Sequence, residues 1–190
     1  MTLIQNAPPL YAGMNCAGIE LFAVESEMKF IADKQVQSIV NLPYGIRQLT
    51  QEEINKDKAV KNALQQMHPN SVFDQQNQFL QCRYGGLDFT ADIKDNKFQE
   101  GDYWDCPKRA TCAFNGIICK APTYNGQQLT PIDIKLMKQL STNATNEVIA
   151  DALNLALGTF HKLKKALYAK LDNIQTKQEL ALIAKSLNLI

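Results

Sequence analysis

The chain is predicted to be mainly α-helical. An irregular-to-helical N-terminal region, residues 1–123, is expected to be stapled by a four-cysteine metal site, and a four-helix C-terminal bundle, residues 124–190, to follow it. Three observations carry this. Apolar residues recur at spacings of three and four in several windows, the period of one helical face. Capping residues stand just before those windows, at Thr130-Pro131, Thr145-Asn146 and Thr176. Four of the five cysteines, Cys82, Cys106, Cys112 and Cys119, crowd a stretch that has little periodicity of its own.

From the N-terminus, Pro8-Pro9 marks an irregular start, and Gly18 to Val24 reads as a short strand or buried turn. Ser26 to Val40 carries mixed helical character, and Pro43-Tyr44-Gly45 breaks it. Thr50-Gln51-Glu52-Glu53 fits a capping box, in which the hydroxyl satisfies a free amide and Glu53 reaches back. The helix it opens places Val60, Ala63, Leu64 and Met67 on one face. His68-Pro69-Asn70 ends that helix, with His68 read as a C-terminal cap rather than a ligand. Phe73 to Cys82 is a second short helix or extended run. Residues 83–122 are rich in Gly, Asp, Lys and Cys, and Tyr124-Asn125-Gly126 is a turn at the domain boundary.

Beyond the boundary the punctuation is clearer. Thr130 caps a helix with Pro131 in its first turn and Asp133 at the favourable end of the dipole. Leu129, Ile132, Leu136, Met137 and Leu140 form its buried stripe. Thr145 or Asn146 caps the next helix, with Ile149, Ala150 and Leu153 facing inward, and Asn154 suits a left-handed turn. Gly158-Thr159 opens a third helix with Phe160, Leu163, Leu167 and Leu171 inward and His161, Lys162, Lys165 and Ala169 opposite. Thr176 caps a last helix bearing Leu180, Ile183, Ala184, Leu187 and Ile190.

The net charge of +1 excludes a polycation, but its distribution is uneven. From Tyr124 onward eight lysines face five acids, and four of those lysines lie between 162 and 170. This local basic stripe is either a solvated helix face or a nucleic-acid contact. No basic start with a long apolar run marks a signal peptide, and no apolar run approaches membrane length, so a cytoplasmic protein without membrane contact is expected. With only two histidines, no Gly-rich phosphate loop and no H-E-x-x-H, the sequence offers no catalytic set, and a non-enzyme is expected.

In a reducing compartment five cysteines are not read as structural disulfides. The spacing C-x23-C-x5-C-x6-C puts four soft ligands in a loop-rich segment that lacks apolar material to fix itself, and a tetrahedral metal would supply the constraint. Zinc is favoured over an iron–sulfur cluster. Unliganded buried thiols and redox disulfides are the other readings, because the paired C-x2-C knuckles of familiar zinc sites are absent. Cys16 is read as buried, and Tyr103-Trp104 as shielding the site or packing the core.

The positions Leu129-Thr130-Pro131, Asn146, Ile149-Ala150, Leu153, Leu155, Gly158-Thr159, Lys165, Tyr168, Lys170-Leu171 and Leu187-Asn188-Leu189-Ile190 together resemble the LuxR-type (GerE/NarL-like) helix-turn-helix domain. The resemblance covers about the last third of the chain. It implies a sequence-specific transcriptional regulator that binds double-stranded DNA. His161, Lys162 and Lys165 would then lie toward base edges and Thr159 toward phosphate, with a homodimer through the C-terminal helix. The chain departs from the family at Val148, Leu163, Lys164 and Ala156-Leu157. Residues 1–123 resemble neither a receiver nor an autoinducer-binding domain. A protein-interaction adaptor, an iron–sulfur redox-sensing regulator and, most weakly, a metalloenzyme are the rival readings.

Overall fold

A computed structural model describes residues 10–15, 17–25, 27–101, 103–104, 106–109, 111–187 and 189–190. The expectations for Pro8-Pro9, Ser26, Cys16 and Asn188 lie outside the described residues. The chain divides into two compact units, one ending at Lys120 and the other starting at Ala121. Among the described residues, no helix is long and apolar enough to cross a membrane.

The first unit is mixed rather than mainly α. β1 (Glu20–Val24), β2 (Glu27–Ala32) and β3 (Gln35–Ser38) form an antiparallel sheet with β2 in the centre. The helical reading of 26–40 is therefore corrected. Met28 and Phe30 alternate inward along β2, a period of two, and Leu21 of β1 pairs with Phe30. The β2–β3 connection is the two-residue turn Asp33-Lys34, both with positive φ (49° and 65°), as the right-handed twist of a hairpin demands.

Three helices follow. α1 (Tyr44–Lys56) begins directly after Pro43, so Pro43 opens a helix where a break was expected. Thr50 is not a cap: it lies buried in mid-helix, and its hydroxyl donates to the Ile46 carbonyl at 2.8 Å. The cap of α2 (Lys58–Met67) is Asp57, whose carboxylate accepts from the amides of Ala59 and Val60 at 2.9 and 3.2 Å. Val60, Ala63 and Leu64 are buried as their spacing predicts. α3 (Val72–Tyr84) is capped by Ser71 and packs Phe79 and Leu80 into one core with Leu21, Phe30, Ile54 and Leu64.

Residues 85–119 are irregular apart from the small hairpin β4 (Ile93–Lys94) and β5 (Lys97–Phe98). They are tied to the sheet by buried carboxylates. Asp92 accepts the Leu21 amide at 2.7 Å, and Glu20 accepts the Asp88 amide at 2.7 Å. An antiparallel bridge between Ile19 and Ile93 completes the attachment. The segment that was expected to depend on metal for its anchorage thus has polar anchors of its own.

The second unit opens with the hairpin β6 (Thr123–Tyr124) and β7 (Gln127–Gln128), turned by Asn125-Gly126 with φ of 47° and 76°. Four helices follow: α4 (Pro131–Leu140), α5 (Asn146–Ala152), α6 (Leu157–Lys170) and α7 (Lys177–Ser186). Thr130 with Asp133 and Thr176 with Glu179 both form complete capping boxes. Leu129, Leu136, Met137, Leu140, Ile149, Phe160, Leu167, Leu171, Leu180 and Ala184 are fully or almost fully buried. Ile134 takes the buried place expected of Ile132, which is half-buried. Asn154, with φ of 53°, turns the chain between α5 and α6.

Candidate functional sites: a thiol-lined cavity and a basic helix face

The C-terminal end of α3 presents Cys82 to the loop that follows. A turn over 106–109 and a second over 112–119 bring the other thiols to the same place: the Arg109 amide bonds the Cys106 carbonyl, and the Asn115 amide bonds that of Cys112. Trp104 packs on Gly85, where an added Cβ would stand 2.8 Å from the indole ring. The result is a cavity of about 110 Å³ lined by all four of Cys82, Cys106, Cys112 and Cys119, with Trp104, Lys108 and Arg109.

The sulfurs do not meet as a ligand cage. Among the described residues, no group of three or more His, Cys, Asp or Glu is placed to hold a metal ion. All four cysteines are free thiols; Cys82 and Cys119 are buried, and Cys106 and Cys112 half-buried. Cys82 and Cys119 share a hydrogen bond. The shared hydrogen bond and burial push the Cys82 thiol up. The same hydrogen bond, helped by the Arg109 charge against the cost of burial, lowers the Cys119 thiol to about 6. Gln78 also donates to the Cys82 sulfur at 3.2 Å.

Among the described residues, two buried donors beside the thiols have no acceptor: the indole Nε1 of Trp104 and the Nε of Arg109. Arg109 otherwise donates to the Trp104 carbonyl at 3.0 Å and lies over the Tyr103 ring. The sequence alone suggests Trp104 as a shield or as core packing and does not single out Arg109. A cation in a cysteine-rich turn was the available signal.

In the second unit, residues 153–156 turn the chain from α5 into α6. Phe160, Leu167 and Leu171 fix the inner face of α6, with Leu163 half-buried beside them. Thr159, His161, Lys162 and Lys165 stand exposed, so the four expected contact residues share the solvent side of one helix. Thr159 lies in the first turn of α6, whose N-cap Ala156 makes no side-chain cap. Glu147 approaches His161; its carboxyl is held below the usual range first by its own α5 amide, then by the Thr145 hydroxyl and last by His161.

Three other lysines of this unit make contacts within the protein. Lys170 pairs with Asp133 at 2.8 Å. Lys164 donates to the Asn146 side chain at 3.5 Å, and Lys177 to the Ala144 carbonyl at 2.7 Å. Comparison with protein-family models, with curated proteins and with solved structures finds no match to the chain.

Proposed function

We propose that the chain is a sequence-specific DNA-binding regulator that acts through α6. One observation carries this reading. The apolar side of α6 is used up inside the four-helix unit, while Thr159, His161, Lys162 and Lys165 remain exposed together on the other side. A helix so mounted can enter a major groove without disturbing its own core. The resemblance of residues 129–190 to the LuxR-type domain supports the same assignment. Lysines at base edges give discrimination, and those at phosphates give salt-dependent affinity.

Selection from a random duplex pool tests it. One sequence class should be enriched, and Ala at Lys162 or Lys165 should cost about 1–3 kcal/mol on that sequence if the lysine reads a base. No enrichment, with binding unchanged in the double alanine variant, favours a protein-interaction module. Leu157, 41% exposed at the start of α6, would then be the natural anchor.

For the first unit we propose that the thiol cavity takes a thiophilic metal, zinc before an iron–sulfur cluster, on Cys82, Cys106, Cys112 and Cys119. The residue types suit such a group, whose binding would have to draw the four sulfurs together. A divalent ion on four thiolates carries a net charge of about −2. Arg109 and Lys108 line the same cavity, and the unpartnered Trp104 and Arg109 N–H groups are donors awaiting an acceptor such as a ligated sulfur. When bound, the metal would act as a structural cross-link, and four protein thiolates would leave it no open position for catalysis.

A further inference from the structure

We propose that Lys164 and Lys177 form a seat for a phosphate group, filled by one phosphodiester of a bound duplex. This rests on the DNA-binding reading of the second unit and adds to it a contact outside the four exposed α6 residues. Lys164 leaves α6 toward the start of α5, where its ammonium meets the side-chain oxygen of Asn146. Lys177, the first residue of α7, reaches the Ala144 carbonyl, two residues from Asn146. Two cations from different helices thus converge on the 144–146 segment. Both side chains are half-buried. Among the described residues, neither has a carboxylate partner; the ion pairs of the unit go to Lys170 and Asp133 instead.

Like charges so placed repel, even though the Asn146 and Ala144 oxygens accept from them. Burial and the nearby Lys177 both disfavour the charged form of Lys164. An anion between them would offset both. Other groups at the spot suit an oxyanion. Among the described residues the Tyr168 hydroxyl is buried without a hydrogen-bond partner, and the Lys164 ammonium lies over its ring, 5.2 Å from the centroid. Each ammonium has three donors and is shown using one on a fixed acceptor. A phosphate offers several acceptor oxygens and a charge opposite to both lysines. The acid of this neighbourhood, Glu179, which after burial pushes the Tyr168 hydroxyl up, already accepts from the Gln175 and Thr176 amides.

The test compares the full-length protein with Lys164→Met, Lys177→Met and Lys164→Arg. Methionine keeps the aliphatic stem and removes the charge. Duplex affinity is measured across salt concentrations, on the selected sequence and on unrelated duplexes. Loss of one phosphate contact should lower the salt slope by about 0.9 and weaken every duplex about eightfold at 0.1 M salt. The selected sequence should stay the same, and Lys164→Arg should bind like the parent. A parent that binds duplex DNA, with methionine variants that share its affinity and slope, overturns the seat and leaves the DNA reading standing.

If the parent binds no duplex, the DNA reading falls, and inorganic phosphate becomes the probe. Thermal stabilisation by phosphate beyond chloride of equal ionic strength, lost in Lys164→Met, keeps the seat for a free phosphate or phosphomonoester. Equal stabilisation in parent and variant overturns it. Should Lys164→Met fail to fold, the same comparisons on Lys177→Met decide.

Discussion

Asp133 joins two helices with one carboxylate. It accepts the Thr130 amide that starts α4 and the Lys170 ammonium near the end of α6, both at 2.8 Å. Burial works against its charge, but the Lys170 and Thr130 bonds outweigh that and hold the carboxyl below its usual range. The sign follows directly. Stability from a lowered carboxyl is fully present above the unfolded value of about 3.9 and is lost as pH falls through the folded value. Asp133→Asn should therefore cost about 1 kcal/mol at neutral pH and flatten the loss of stability below about pH 4. Thermal melts at stepped pH, parent against variant, measure both. Equal slopes in the acid limb would show that the Lys170 pair contributes nothing.

Among the elements, α7 shows how surface and core divide a helix. The sequence assigns Leu180, Ile183, Ala184 and Leu187 to a self-association face, yet Leu180 and Ala184 are fully buried within their own unit. What remains outside is Leu182, 70% exposed, with Ile183 and Leu187 half-covered. If two copies meet through α7, Leu182→Glu should raise the dimer dissociation constant at least tenfold, about 1.4 kcal/mol, without lowering the melting temperature. Sedimentation over a concentration series reads this, and a parent that stays monomeric ends the proposal.

The same division explains what the sequence could reveal. Thr130, Thr176, Asn154 and Asn125-Gly126 announce themselves because caps and left-handed turns depend on a few neighbouring atoms. The Asp33-Lys34 and Asp95-Asn96 turns have positive φ without glycine, so the two hairpins they close carry no strong local mark. Thr50-x-x-Glu53 has the capping pattern, but a preceding turn of α1 already supplies the acceptor at Ile46. Tertiary surroundings decided that case. Period alone set His161, Lys162 and Lys165 opposite the apolar side of α6, and Thr159 joined them only through the resemblance; the meeting of Lys164 with Lys177 depends on three helices and was not legible.

At the scale of the whole molecule, two units carry separate cores and separate candidate chemistries. The core of the first joins the β1–β3 sheet, α1–α3 and the side chains of Ile93, Ile118 and Cys119. The cysteine segment is therefore fastened at the sheet by Glu20 and Asp92 and at the core by Ile118. Cys112→Ser should release one bound metal per chain and speed hydrogen exchange in residues 103–119. Exchange in α4–α7, built on their own core, should not change. Elemental analysis gives the first outcome and exchange mass spectrometry the second. A metal-free parent whose native thiols all react freely would remove the metal from the account.

The Asn125-Gly126 turn also sets a chemical lifetime. The Asn125 side-chain amide donates to the Asp172 carboxylate, and nothing lies within 4 Å of the place a Cβ on Gly126 would take. Attack by the Gly126 backbone nitrogen on the Asn125 side-chain carbonyl would expel ammonia and leave a cyclic imide. Hydrolysis of that ring yields aspartate or isoaspartate, so a donor becomes a second anion facing Asp172. Aged protein should accumulate this product at Asn125 in peptide maps, and Asn125→Asp should reproduce its effect, loosening the hairpin from the 172 turn. Storage time thus becomes a variable in any binding measurement on this chain.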